Sequence, residues 1–345
     1  MTKLKRTVLI LTMAVIVALS GCGAKNTVKE KVHKKPHKEE TVIDPIVLEI
    51  GEFKESCVNT NERPIAIMVD NDDKNARPHA GLEDAYLIYE MIIEGGSTRF
   101  MALYRGVDTE KIGPIRSSRH YYLDYVMEND AIYTHFGWSP RAMQDISKFG
   151  INKINGVLGG DENIFWREKK YKGDWHSAYT SIKNIKDMAV EKGYEEKTDH
   201  KNGIEYSDSY IELPTENTAK KVNLKYSYKY TTAYSYNEET RLYEKSIDGE
   251  PHVMQSGDVL SVKNIIVMFI GDSALDDGSD RRNINTTGSG KGYYITNGAY
   301  EEIVWKKPAR SENTVYKKTD DSPLLINPGK TIVNIISPLA DTNIE

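Results

Sequence analysis

The side chains best suited to chemistry in this chain cluster in its first half, and most suit an anion. Arg116 and Arg119 flank Ser117-Ser118 in the run Gly113-Pro114-Ile115-Arg116-Ser117-Ser118-Arg119. Ser117 to Glu128 reads as a helix with Ser117 as its N-cap. A helix start there offers free N–H groups and the positive end of the dipole. Arg116 and Arg119, three apart, would share a face and add forked donors that match a carboxylate or a phosphate. Arg99, just after the turn Glu94-Gly95-Gly96-Ser97, and His176 complete a ligand-binding set of Arg99, Arg116, Ser117, Arg119 and His176. The competing reading is an internal ion pair, with Glu90 or Glu94 neutralising the arginines. Glu94 ends an apolar run, where partial burial raises a carboxyl pKa, and His135 ends a strand-like run at a position that lines clefts in layered folds. Glu94 and His135 are therefore the candidate catalytic acid/base pair.

Other chemistries find little support. Ser139 sits in Phe136-Gly137-Trp138-Ser139-Pro140, which lacks the second glycine of a nucleophile elbow. Gly288-Ser289-Gly290-Lys291-Gly292 lacks the spacing of a phosphate-binding loop and the helix that must follow it. Asp70-Asn71-Asp72-Asp73 and Asp272–Asp280 are oxygen-rich but do not follow a calcium-loop pattern. No Cys/His cluster has zinc spacing. Neither a metal nor a cofactor is expected. There are 22 Tyr against 6 Phe. Tyrosines on strands, with Trp138, Trp166, Trp175 and Trp305, would suit sugar faces; coding bias in an AT-rich genome accounts for them equally.

The elements that must position these groups follow from periodicity. Pro64–Val69, Ala85–Ile93, Thr98–Tyr104 and Ala131–Phe136 read as strands, the second and third joined by the Glu94–Ser97 turn. Pro140–Phe149 and Ser181–Lys192 read as helices, closed by Gly150 and Gly193. After about residue 200 the texture turns to period two, with Tyr226, Tyr228, Tyr230, Tyr234 and Tyr236 alternating with polar residues. Val262–Ile270 is the most apolar run of this half. Asn297-Gly298 marks a hairpin within Tyr293–Trp305, and Asn327-Pro328-Gly329 a turn within Leu324–Ile336. The expected fold is α+β, with an N-terminal α/β layered domain over 51–200 followed by a β-rich C-terminal domain over 205–340.

The chain has 345 residues, a formal net charge of −5 and 28% charged residues. Its mean hydropathy is −0.56. This excludes a polytopic membrane protein and a largely disordered chain, and an acidic balance argues against general nucleic-acid binding. At the start, Lys3, Lys5 and Arg6 precede the uncharged run Val8–Leu19, too short to span a bilayer but suited to a secretory signal. Leu19-Ser20-Gly21-Cys22 resembles the lipobox of bacterial lipoproteins, which makes residues 1–21 a signal peptide and Cys22 the lipidated residue. Residues 22–50, rich in Lys and Glu, read as a flexible tether. His33 and His37 are split by Pro36, against a shared helix. Cys57 is left without an intramolecular disulfide partner.

Taken together, Arg63–Asn71, Ala76–Leu82, Ala85–Glu90, Glu94–Phe100, Gly113–Arg119, Phe136–Pro140, Trp305–Lys307 and Leu325–Thr331 resemble the YerB family of Gram-positive lipoproteins (DUF3048, N- and C-terminal domains). One departure is Trp175-His176-Ser177-Ala178-Tyr179-Thr180, which stands where the family tends to Pro-His-Asn-Leu-Tyr-Thr. The resemblance implies a lipid-anchored extracytoplasmic protein at the outer face of the cytoplasmic membrane and carries no settled activity. Three functions stay open: binding of an anionic envelope ligand, peptidoglycan or teichoic acid, in an Arg-rich cleft; a wall-acting hydrolase using Glu94 and His135; or a scaffold that docks another envelope protein through tyrosine-bearing strands. The partners expected are the membrane through lipid at Cys22 and a cell-wall glycopolymer, with no nucleic acid.

Overall fold

The computed structural model describes residues 45–214 and 216–345. The segment expected as a signal peptide, Cys22, His33, His37 and the expected tether up to residue 44 lie outside the described residues. The last residues assigned to the tether begin a helix, α1 (Pro45–Phe53).

Short, mostly apolar runs build the first strands: β1 (Ile65–Asn71), β2 (Leu87–Ile92), β3 (Thr98–Tyr104), β4 (Ile132–His135) and β5 (Lys153–Asn155). β1 is buried along its whole length, as a strand covered on both faces must be. Ile65, Ile67 and Val69 join one core, and Ala66 and Met68 join the other. The second core is capped by α2 (Leu123–Glu128) and α3 (Pro140–Lys148), and the first by α4 (Ile182–Glu191). α3 starts at the N-cap Ser139 with Pro140 in its first turn, and α4 at the N-cap Ser181. Gly150 and Gly193, with φ of 63° and 69°, end them as expected.

The later half supplies β6 (Lys221–Ser227), β7 (Tyr230–Asn237), β8 (Leu242–Ile247), β9 (Glu250–Pro251), β10 (Ser261–Val262), β11 (Asn264–Phe269), β12 (Gly288–Thr296), β13 (Ala299–Lys307), β14 (Val315–Lys318), β15 (Thr331–Ile336) and β16 (Thr342–Ile344). The fold is α+β with a β-rich C-terminal region. A ten-stranded mixed sheet runs β14-β13-β12-β11-β15-β2-β3-β1-β4-β5. β15 lies parallel to both β11 and β2, so residues from each half of the chain meet in one sheet. The segments expected as two domains, 51–200 and 205–340, thus share this sheet, and the described residues fall in one compact unit. A second sheet, β9-β8-β7-β6-β16 with β10 beside β8, packs into the first core through Val222, Leu224, Tyr226, Tyr230, Tyr234 and Tyr243.

Two local expectations are corrected. Ser117 does not cap a helix: residues 113–119 run extended, with Arg116 N–H donating to the Met68 carbonyl and Ser118 N–H to the Gly137 carbonyl. The helical part starts only at His120 as a short 3-10 turn. Backbone pairing to the ends of β1 and β4 outweighs the local N-cap signal. The Asn327–Gly329 turn stands between strands as expected, Leu325–Ile326 before it and β15 after it, and β15 then pairs in parallel with β11 and β2. The tyrosine rows are not a docking face either: Tyr226, Tyr230 and Tyr234 are buried, and Tyr228, at 84% exposed, sits on the turn between β6 and β7.

Candidate functional site

β1, β4 and β5 run parallel, and their C-terminal ends carry Asp70, His135 and Asn155. Open layered sheets gather polar groups at such ends. Asp70 lies opposite Arg99 of β3 in register. Its carboxylate is fully buried and meets one imidazole and two guanidinium groups. His176 Nδ1 is 2.6 Å away, Arg116 Nε 3.1 Å and Arg99 Nη2 3.7 Å. Burial alone would raise the Asp70 pKa, but the His176 hydrogen bond and then the charges of Arg99 and Arg116 outweigh it and hold it below the ordinary value. For His176, burial works downward, and the Asp70 hydrogen bond and charge turn the net shift upward. The Trp175 indole N–H donates to His176 Nε2 at 2.6 Å. The indole is itself 58% exposed and roofs the imidazole.

Two more histidines brace the back of Asp70. His79 Nε2 lies 2.6 Å from the Asp70 carbonyl and His79 Nδ1 lies 2.7 Å from His252 Nε2. The carbonyl only accepts, so His79 carries its proton on Nε2, and His252 must donate to His79 Nδ1. Burial first of all keeps both rings neutral, His79 with a pKa of about 4. This chain of contacts ties β1 to the second sheet, since His252 follows β9.

The sequence-derived set divides here. Arg99, Arg116 and His176 converge on Asp70. Arg119 instead pairs with Glu94, its Nε 2.9 Å from one carboxylate oxygen and its Nη2 on the other. Ser117 contributes its carbonyl, which accepts from Arg99 Nη1 at 2.8 Å, while its hydroxyl donates to the Phe136 carbonyl. The acid/base reading of Glu94 is corrected. Burial favours a raised pKa, but Arg119 overrides it and holds the carboxyl at about 2, so it has no proton to give near neutrality. His135 is fully buried, donates from Nδ1 to the Gly137 carbonyl, and has a pKa pushed down to about 4 by burial. It packs on Trp138, away from Asp70's ligands.

Arg167 was missed. It stands near Arg116, over the ring of Phe136 at 4.3 Å, with Nη1 donating to Ser177 Oγ. Burial and then the charge of Arg116 lower its hold on its proton. Among the described residues no carboxylate lies within ion-pair distance of Arg167, and Arg116 has only its share of Asp70. Nothing in the local sequence of Trp166-Arg167 signalled this, because the approach is made by two residues 51 positions apart. Asp70 had a signal: a carboxylate ending an otherwise apolar strand. Among the described residues no group of three or more His, Cys, Asp or Glu is arranged to hold a metal.

The N-terminal model of DUF3048, "Protein of unknown function", matches residues 51–195, and the C-terminal model matches residues 222–333. The chain belongs to the DUF3048 family. A relative from Bacillus subtilis (strain 168), named "Putative lipoprotein YerB", is 31% identical over 290 residues, covering 83% of this chain and 85% of its own. The crystal structure of YerB from Bacillus subtilis superposes with a TM-score of 0.71 at 29% identity, over 82% of this chain and 94% of that one. The DUF3048 pair of models splits the chain on either side of residues 196–221, while the ten-stranded sheet draws strands from both parts.

Proposed function

We propose that this DUF3048 protein is a lipoprotein held at the outer face of the cytoplasmic membrane through Cys22, and that it binds an anionic group of a cell-wall glycopolymer at Arg116 and Arg167. The lipobox-like Leu19–Cys22, the lipoprotein name of the relative and the absence of any membrane-crossing helix among the described residues support the anchoring. Acyl chains on Cys22 add roughly 0.8 kcal/mol per buried CH₂, enough in combination for lasting attachment.

The observation that carries the binding is a charge imbalance. Arg99, Arg116 and Arg119 face two buried or half-buried carboxylates, Asp70 and Glu94. Asp70 is further shared with His176. Arg167 brings another cation with no carboxylate of its own. Arg99, Arg116 and Arg119 are buried or partly buried, where charges are costly unless matched, while Arg167 is exposed and offers an incoming anion a solvent-reachable cation beside Arg116. Arg116 keeps 26% of its side chain exposed, so it is reachable from solvent. Trp175, exposed over His176, offers a flat face for a sugar. A binding role fits better than hydrolysis, because Glu94 is held ionised, His135 is enclosed and His176 Nε2 is occupied by Trp175.

Cosedimentation with purified walls tests this, using walls that carry teichoic acid and walls stripped of it. Wild type is expected in the pellet, and Arg116→Ala/Arg167→Ala in the supernatant. Loss of binding on stripping assigns the anion to teichoic acid, and retention on stripped walls assigns it to peptidoglycan. Equal pelleting of variant and wild type with an unchanged melting temperature contradicts the proposal.

A further inference from the structure

A second recess lies past the other end of β3 from Arg99, where the chain enters the fold. After α1 the backbone passes through a π-helical turn, Lys54–Val58, and forms one wall of a cavity of about 430 Å³. Arg105, just past β3, and the segment Thr198–Tyr206 form the others. None of the anion-site residues described above lines it. Its size falls in the range of small-molecule sites.

Its chemistry is specific. Arg105 donates from Nη1 to the Cys57 carbonyl at 2.9 Å and lies over the Tyr86 ring at 5.7 Å. Among the described residues no carboxylate comes within ion-pair distance of it. Its Nε is shielded from solvent and has no partner, and the Tyr206 hydroxyl, also shielded, makes no hydrogen bond of good geometry, with Thr331 within reach. Shielded donors without partners are uncommon in folded proteins and point to a missing group. Asp199 is the one carboxylate on the lining, against Arg105 and Lys201. Apart from His200, the remaining polar lining is mainly amides and hydroxyls, including Asn59 and Asn202, which suit hydroxyl groups rather than a second charge.

We propose that this cavity binds a phosphate or carboxylate carried on a small hydroxylated body, with Arg105 gripping the anion and Tyr206 donating a hydrogen bond to it. The same chemistry is found in a free polyol phosphate and in the headgroup of an anionic glycerolipid. The site stands independently of the Arg116–Arg167 reading.

The test uses the chain from residue 22 with Cys22→Ser, so that Cys57 is its remaining thiol. Cys57 lines the cavity and reports occupancy through its rate of alkylation. The probes are sn-glycerol 3-phosphate and vesicles of phosphatidylglycerol or of phosphatidylcholine. Glycerol 3-phosphate is expected to slow alkylation and to give a saturable calorimetric isotherm. Arg105→Gln should weaken that binding about tenfold or more, the loss of one charge-assisted contact. Arg105→Lys should recover part of it. Protection by phosphatidylglycerol vesicles alone supports the site with a lipid headgroup as the source. No protection by either probe, or equal protection in Arg105→Gln at an unchanged melting temperature, overturns it.

Discussion

Asp70 is a carboxylate with more partners than charge. Removing it as Asp70→Asn would leave Arg99, at 1% exposure, without a counter-ion. Breaking a buried pair in this way costs ~3–5 kcal/mol, measurable by denaturant unfolding. The acid limb of stability follows from the same groups. Asp70 and Glu94 have folded pKa values below their ordinary ones, Glu94 at about 2 against 4.5. A depressed carboxylate contributes stability that is present above the unfolded pKa and is lost as pH falls through the folded one. For Glu94 that window runs from 4.5 down to about 2. Glu94→Gln is therefore expected to show a shallower loss of stability than wild type across that window. Parallel curves for the two proteins would mean that the Arg119 pair does not stabilise the fold. Glu94 also shows why the residue types were readable and their roles were not. Its place at the end of an apolar run signalled burial correctly, but the sign of its shift is set by Arg119, 25 positions away.

Among the elements, the legible ones were those whose signals are local. β3 runs from Thr98 to Tyr104 as expected, and α3 and α4 begin at their capping serines and end at their glycines. The β12–β13 hairpin turns at Asn297-Gly298, with φ of 52° and 76°, the left-handed pair that the two-residue turn demands. A Cβ on Gly298 would stand 3.0 Å from the Tyr236 ring. Gly298→Ala is expected to destabilise by about 1–2 kcal/mol from the backbone conformation alone, read as a shift of the urea midpoint; an unchanged midpoint would show that the turn relaxes freely. The segment from Gly113 to Arg119 was illegible for the opposite reason. Its serines and arginines carry a good helix-start pattern, but Pro114 accepts from Asp70 N–H and Ile115 donates to Ala178, so long-range backbone pairing draws it extended. That pairing swings Arg116 onto Asp70 and sends Arg119 to Glu94. The Asn327–Gly329 turn was legible as a turn between strands, but a turn signal cannot say whether the next strand pairs with the last one or crosses to β2.

For the molecule as a whole, the organising fact is that β15 closes a sheet begun by β1–β5. A second tie lies between the sheets: Lys245 of β8 pairs with Glu90 of β2 at 2.8 Å, both fully buried. Tyr230 donates to the same carboxylate at 2.7 Å. The two parts should then unfold together. Calorimetry is expected to show one transition, and Lys245→Met, which strands the Glu90 charge, should lower the whole transition by an amount corresponding to ~3–5 kcal/mol. Two separable transitions would show that the segments 51–200 and 205–340 fold apart. Alternation and turn residues revealed the α+β class, but the shared sheet is a matter of crossover topology, which no local pattern encodes. The central claim concerns what this single frame presents at the end of β1. It is tested most directly by isothermal titration of poly(glycerol phosphate) into wild type and into Arg116→Ala/Arg167→Ala, at low and at raised salt. The account predicts saturable binding by wild type that weakens with salt and falls by about a hundredfold in the variant, the loss of two charge-assisted contacts. Equal affinity in the two proteins, or no binding by wild type to this polymer or to peptidoglycan fragments, would contradict it.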